Sequence, residues 1–160
     1  MTNDDYTRTG ETASSTGDIA TLNTLIGTLI DSIEGYTKSA ADTKNAHFAE
    51  RFNARAQERQ QVLTRLQATV ARLGGDPEDE STTAGSLHRG FINLKEAVLG
   101  QDDETIIDEV ERGEDYLKEK FETAMRNGDL PAEARTAVEE AWQSVKAGHD
   151  EMSQLKHAIT

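Results

Sequence analysis

The stretch that decides the fold is residues 85–125, GSLHRGFINLKEAVLGQDDETIIDEVERGEDYLKEKFETAM. It predicts a short helix, a stop at Gly100 and then a long amphipathic helix, because apolar residues beyond the glycine recur at steps of three and four. The inner face of this long helix carries Ile106, Val110, Leu117, Phe121 and Ala124. One carboxylate, Glu114, lies among them. An ionisable group on a core face needs an explanation, and Glu114 is therefore the first candidate functional residue.

Signals for helix starts and stops place three further long helices around this stretch. Asp18 and Asp102 are good N-cap residues, Gly74-Gly75-Asp76-Pro77 is a strong stop, and Pro131 suits a first helical turn. The long helices are predicted at residues 18–39, 46–73, 102–127 and 129–156, and a short helix at residues 84–99.

Each of the other long helices also has an apolar stripe that predicts its buried face. The stripes consist of Leu22, Leu25, Ile26, Leu29, Ile33 and Tyr36, then Phe48, Phe52, Ala56, Leu63, Leu66, Val70 and Leu73, and finally Val138, Ala141, Trp142, Val145, Met152 and Leu155. The short connection at residues 41–45 makes its two helices antiparallel neighbours. We predict an all-α four-helix bundle of two antiparallel hairpins, joined by a long crossover that contains the short helix.

Composition narrows the class of protein and its partners. An apolar content of 35% with only 5% aromatic residues suits an all-helical domain. The formal charge of −13 would repel nucleic acid and anionic membranes. No cysteine is present, which excludes disulfides and thiolate metal sites, and no signal-type or membrane-length apolar run occurs. We therefore expect a cytoplasmic protein with neither nucleic acid nor membrane as a partner.

The first 17 residues, MTNDDYTRTGETASSTG, differ from the rest of the chain. They are rich in Thr, Ser and Asp, lack apolar periodicity and offer little surface to offset the entropy of ordering. We predict a flexible polar tail over residues 1–17 and a single bundle domain over residues 18–160.

Four segments carry a family resemblance: LNTLIGTLIDSIEGY at 22–36, RLGGDPED at 72–79, AGSLHRGFINLKEAVLG at 84–100 and ERGEDYLKEKFETAM at 111–125. They resemble bacterial four-helix-bundle proteins that are grouped as a domain of unknown function within the ferritin-like superfamily. The resemblance covers about residues 22–155. It implies a ferritin-like bundle, bacterial origin and a stress-related role, and it implies no particular reaction.

The resemblance raises the question of a di-iron site, which in ferritin-like proteins uses two Glu-x-x-His pairs. The residues three positions before the four histidines are Lys44, Gly85, Lys146 and Gln154. No Glu-x-x-His motif is therefore present, which argues against ferroxidase or peroxidase chemistry and against an enzyme.

Two interpretations of the inner polar residues stay open. The first is a reduced site for iron, manganese or zinc, with the candidate ligands Glu114, His149, Glu34, Glu58 and Glu111. The second is a structural polar network of Arg59, Glu114, His149 and Tyr36, in which an arginine on a core face pairs with a carboxylate. Counting residues from the turn at Gly128 places His149 level with Glu109, about one turn from Glu114, so the fit to a shared metal is loose.

Two glycines on the inward sides of the last two long helices, Gly113 and Gly148, fall at nearly the same level. Small residues there suit close packing of backbones, and they would equally clear room for a ligand. The favoured function is a non-enzymatic bundle that acts through self-association or association with a protein partner and needs no cofactor. The alternative is a carboxylate- and histidine-based metal or redox protein.

Overall fold

The computed structural model describes residues 3–80, 102–126 and 130–159, with side chains from residue 17 onward in these ranges. The described residues form four α-helices and no strand: α1 (Asn3–Asp42), α2 (Ala46–Arg72), α3 (Asp103–Arg126) and α4 (Ala132–Ile159). The all-α prediction is confirmed. The short helix predicted at residues 84–99 lies outside the described residues and stays a prediction. None of the four helices is both long and apolar enough to span a membrane.

The start of α1 differs from the sequence prediction. The helix begins at Asn3 and not at Asp18, and Asp18 lies within it as a buried residue with 7% of its surface exposed. The prediction of an N-cap at Asp18 is therefore wrong. Extending an existing helix is far less costly than nucleating one, and residues 3–17 contain no proline that would stop it. The flexibility predicted for residues 1–17 stays a prediction.

Backbone capping explains the end of α2 and the start of α3. Gly74 has a φ of 88°, and the N–H of Gly75 donates to the carbonyl of Val70 at 2.9 Å, as in a Schellman motif. Oδ1 of Asp102 accepts a hydrogen bond from the Thr105 N–H at 3.2 Å. Both ends thus follow the sequence signals.

The helices pack as a four-membered bundle in which α1 and α4 each contact both α2 and α3. Successive helices within each hairpin are antiparallel. The Thr43 hydroxyl, just beyond α1, donates to Oδ1 of Asp103 at 2.5 Å, whereas Gly75, just beyond α2, lies against Ile19. α3 therefore begins at the end of the bundle opposite to the end of α2. α2 and α3 face each other across the diagonal.

The apolar core consists of two separate clusters along the bundle. The larger one includes Leu22, Leu29, Val62, Leu66, Leu117, Phe121, Val138 and Val145. The smaller one is made of Tyr36, Phe48, Phe52, Ala56, Ile106, Ile107, Val110 and Met152. Most residues of the predicted stripes are buried in these clusters, although Ile33, Leu73, Trp142 and Leu155 are only partly buried. The gap between the clusters is filled by polar groups.

Candidate functional site

A layer of polar and small residues separates the two apolar clusters, and each helix contributes one member. The members are Ser32 from α1, Arg59 from α2, Glu114 from α3 and Gly148 from α4. In each helix, these positions lie between residues of the smaller cluster and residues of the larger cluster. We call these four residues the polar layer.

The centre of the polar layer is a buried ion pair across the diagonal. Nη1 and Nη2 of Arg59 donate to Oε1 and Oε2 of Glu114 at 2.7 and 2.5 Å. Arg59 is 0% exposed and Glu114 is 2% exposed. Nη1 of Arg59 also donates to the Ser32 hydroxyl at 2.7 Å. A bidentate, charge-assisted pair is the strongest form of this interaction, and its planar geometry restricts how α2 and α3 align.

Tyr36 covers the guanidinium of the pair. The Cζ atom of Arg59 lies 5.5 Å from the centroid of the Tyr36 ring, which itself packs against Phe52. Burial and the nearby charge of Glu114 raise the pKa of the Tyr36 hydroxyl well above its ordinary value. Burial lowers the pKa of Arg59, but the Glu114 carboxylate outweighs this and the net shift is upward. Arg59 is therefore charged, and Tyr36 neutral, at neutral pH.

Gly148 makes room for the ion pair. A Cβ atom at this position would overlap Nη2 of Arg59 and lie 2.9 Å from Oε2 of Glu114. Any larger residue would therefore have to displace one of the two charged groups. By contrast, a Cβ atom at Gly113 would meet no atom within 4 Å. The two glycines that the sequence placed level with each other thus have different surroundings.

A second set of ion pairs runs along the seam between α2 and α4, nearer to solvent. Glu151 accepts from Nη2 of Arg51 at 2.7 Å and from Nε of Arg55 at 3.3 Å. Nη1 of Arg55 donates to Glu58 at 2.6 Å, and Glu58 also accepts from the Ser144 hydroxyl. Glu58, one of the candidate metal ligands, is therefore held in this seam by an arginine and a serine.

The remaining candidate ligands differ from Glu114 in their exposure and in their partners. Glu34 is exposed, and Glu111 is half-buried with Oε1 3.5 Å from Nζ of Lys156. Nε2 of His149 lies 2.6 Å from Oδ1 of Asp115. Within the described parts of the chain, no three His, Cys, Asp or Glu side chains are grouped so that they could hold a metal ion. The structure does not bring the five candidate ligands together.

The structure brings Arg59, Glu114 and Tyr36 of the proposed polar network together and places His149 outside it. The prediction that His149 lies level with Glu109 is wrong by more than one helical turn, because the His149 ring contacts Asp115. Small differences in where helices begin and how they tilt change such counts, because one residue shifts a helical position by only 1.5 Å along the axis but by 100° around it.

Sequence reasoning missed several partners in and near the polar layer. Ser32 and the α2–α4 seam were not predicted, although Arg51, Arg55 and Arg59 are spaced four residues apart and therefore share one face of α2. This spacing was the available signal. The identity of the acceptors on the other helices required the packed structure.

The fold and this interior define a class of protein: a helical bundle in which, among the described residues, a buried Arg59–Glu114 ion pair crosses the core. A comparison with protein families identifies the family of the chain. Residues 18–127 match the family described as Domain of unknown function (DUF2383), and the chain belongs to this family. A search of curated proteins found no match to the chain.

Tyr36 should make stability sensitive to alkaline pH. Its pKa is raised above 10.0 in the folded state, so above pH 10 the unfolded chain loses a proton that the folded chain retains. Because the unfolded chain then binds fewer protons than the folded chain, the free energy of unfolding falls as the pH rises through this range. Below pH 10 the contribution of Tyr36 to stability is fully present. In chemical denaturation at several pH values from neutral to alkaline, we expect Tyr36→Phe to lose less stability than the unmodified protein. Tyr116→Phe, which changes a 41% exposed tyrosine, should behave like the unmodified protein.

Proposed function

We propose that the protein is a non-enzymatic, ferritin-like helical bundle that acts by associating with itself or with a protein partner. The observation that supports this best is the state of Glu114, the most deeply buried carboxylate among the described residues. Both of its oxygens accept hydrogen bonds from Arg59. A carboxylate paired in this way serves the structure of the core and is engaged before any metal or substrate arrives.

The polar layer suits a role in holding the four helices in one register. A shift of α2 by one turn would place Arg59 among apolar side chains of either cluster, which would leave a buried charge without a partner. Such a shift is costly, so the pair favours one alignment over the alternatives. A bundle with a uniquely aligned interior presents a constant outer surface, which is what a protein that works by association needs.

The outer surface indicates the kind of association. Among the described residues, Tyr116 and Ile159 are the large hydrophobic side chains that are exposed. A net charge of −13 favours a partner with a basic surface, or a self-association in which like charges must be screened. The stress-related role and the cytoplasmic location follow from the family resemblance and from the composition, and they form part of this proposal.

Sedimentation velocity at low and high salt tests the association. Self-association between acidic surfaces should strengthen as salt screens their repulsion, whereas binding to a basic protein should weaken. A chain that stays monomeric at every salt and protein concentration would remove self-association from the proposal. If it also bound no basic protein, association itself would be contradicted.

Elemental analysis separates this proposal from the metal-binding alternative. The purified protein is incubated anaerobically with ferrous iron and desalted, and Glu114→Gln is treated in parallel. We expect no retained iron in either protein, and a lower melting temperature for Glu114→Gln because Arg59 loses its charged partner. Iron retained near one or two ions per chain, and lost in Glu114→Gln, would instead support a metal or redox protein.

A further inference from the structure

An open groove runs along the outside of the bundle between α2 and α4. Its volume is about 510 Å³, and short side chains such as Ala68 of α2 and Ala137 of α4 line it. Arg65 of α2 and Glu140 of α4 line it from opposite sides. The same two residues also line a smaller recess, which continues the groove toward Val62. The long side chains along the groove are therefore charged, and their signs indicate what it can bind.

Two pairs of opposite charges face each other across this groove, and only one of them is joined. The ion pairs between α2 and α4 show that these helices are antiparallel. Nε of Arg72 donates to Oε1 of Glu133 at 2.5 Å. Arg65 lies seven residues before Arg72, and Glu140 lies seven residues after Glu133, so they form the next equivalent pair, two helical turns away. Within the described chain, however, the side chains of Arg65 and Glu140 are exposed and make no hydrogen bond or ion pair.

The seam and the groove together form one surface, which we call the α2–α4 face. Its charged residues are Arg51, Arg55, Glu58, Arg65 and Arg72 on α2, and Glu133, Glu140 and Glu151 on α4. The α2 side is thus basic apart from Glu58, and the α4 side is acidic. The four arginines balance the four glutamates, although the chain as a whole has a formal charge of −13. A second acidic chain can therefore approach this neutral face with little repulsion.

We propose that the α2–α4 face binds a second copy of this chain, with the two-fold axis of the dimer parallel to the helices. Such a rotation places the basic α2 side of one protomer over the acidic α4 side of its partner, at the same height along the axis. Arg65 of each protomer then contacts the partner's Glu140. The two charges that are free within one chain are paired across the interface, and the symmetry makes this contact twice.

The pattern of charge favours this occupant and this orientation over the alternatives. A two-fold axis perpendicular to the helices would place α2 over α2, so that arginines would face arginines. A strongly basic partner would be repelled by the α2 side, and a strongly acidic one by the α4 side. The short side chains along the groove also leave room for long side chains of the second copy. This inference rests on the self-association in the proposed function and names the surface that mediates it.

Charge reversal in the full-length chain tests the proposal. Arg65→Glu and Glu140→Arg each place like charges in both symmetric contacts, and because both residues are exposed, the fold should persist, as circular dichroism can verify. Sedimentation velocity is run at the salt concentration at which the unmodified chain associates. We expect either variant alone to raise the dissociation constant about tenfold or more. An equimolar mixture of the two variants should associate again, because both contacts of a mixed dimer join opposite charges.

Arg112→Glu is the matched control, because it makes the same change in net charge as Arg65→Glu at a 74% exposed side chain of α3. It should associate as the unmodified chain does. If the unmodified chain associates and the two single variants associate equally well or more strongly, another surface or orientation mediates the contact, and this proposal is overturned while self-association stands. A mixture that stays as weak as the single variants would also overturn it. An unmodified chain that is always monomeric would overturn self-association and this surface together.

Discussion

Replacing Arg59 with methionine is expected to lower the free energy of unfolding by about 3–5 kcal/mol, because the Glu114 carboxylate is left buried without a partner. Both side chains are almost fully buried, and each Glu114 oxygen accepts one bond from the guanidinium. Marginal stability of roughly 5–15 kcal/mol makes this a large fraction of the total. Chemical denaturation followed by circular dichroism measures the loss.

The double substitution Arg59→Met with Glu114→Leu is the control for this prediction. It removes both charges and fills the polar layer with apolar side chains of roughly similar volume, so no unpaired charge stays buried. Exchanges of this kind are often neutral or stabilising, and the double variant should therefore recover most of the stability that Arg59→Met loses. A double variant as unstable as the single one would show that the pair itself, and not the unpaired carboxylate, provides the stability.

Gly148→Ala should lower the free energy of unfolding by about 1–3 kcal/mol, the usual cost of overpacking a core. The new methyl group would overlap Nη2 of Arg59 and lie 2.9 Å from Oε2 of Glu114. In an unconstrained helix the same change would stabilise by roughly 1 kcal/mol, so a loss of stability has the opposite sign to the helix-propensity effect. Thermal and chemical denaturation of the single variant give the measurement.

The cause of the Gly148→Ala effect can be isolated with a double-mutant cycle. In the background of Arg59→Met with Glu114→Leu, the charged groups that the methyl would strike are absent. The cost of Gly148→Ala should then shrink or reverse. If the cost of Gly148→Ala stays the same in that background, the new methyl group clashes with neighbours other than Arg59 and Glu114. Gly148 would then not be the residue that makes room for the ion pair.

Much of the fold follows from local patterns in the sequence. Apolar spacing identified the buried faces of all four helices, and the Gly74-Gly75 stop and the Asp102 cap lie where the chain signals them. These features depend on contacts within a few residues, so a single sequence contains them. The start of α1 was missed because a helix that already exists continues through residues that would not begin one.

By itself, the sequence determined the all-helical class, the apolar faces and the presence of two charged residues, Arg59 and Glu114, on those faces. Only the tertiary structure decided that these two charges meet across the diagonal, that Gly148 provides the space and that His149 pairs with Asp115 instead. The physical reason is that local spacing sets which side of a helix a residue occupies, whereas its partners depend on the relative height and tilt of helices far apart in the chain.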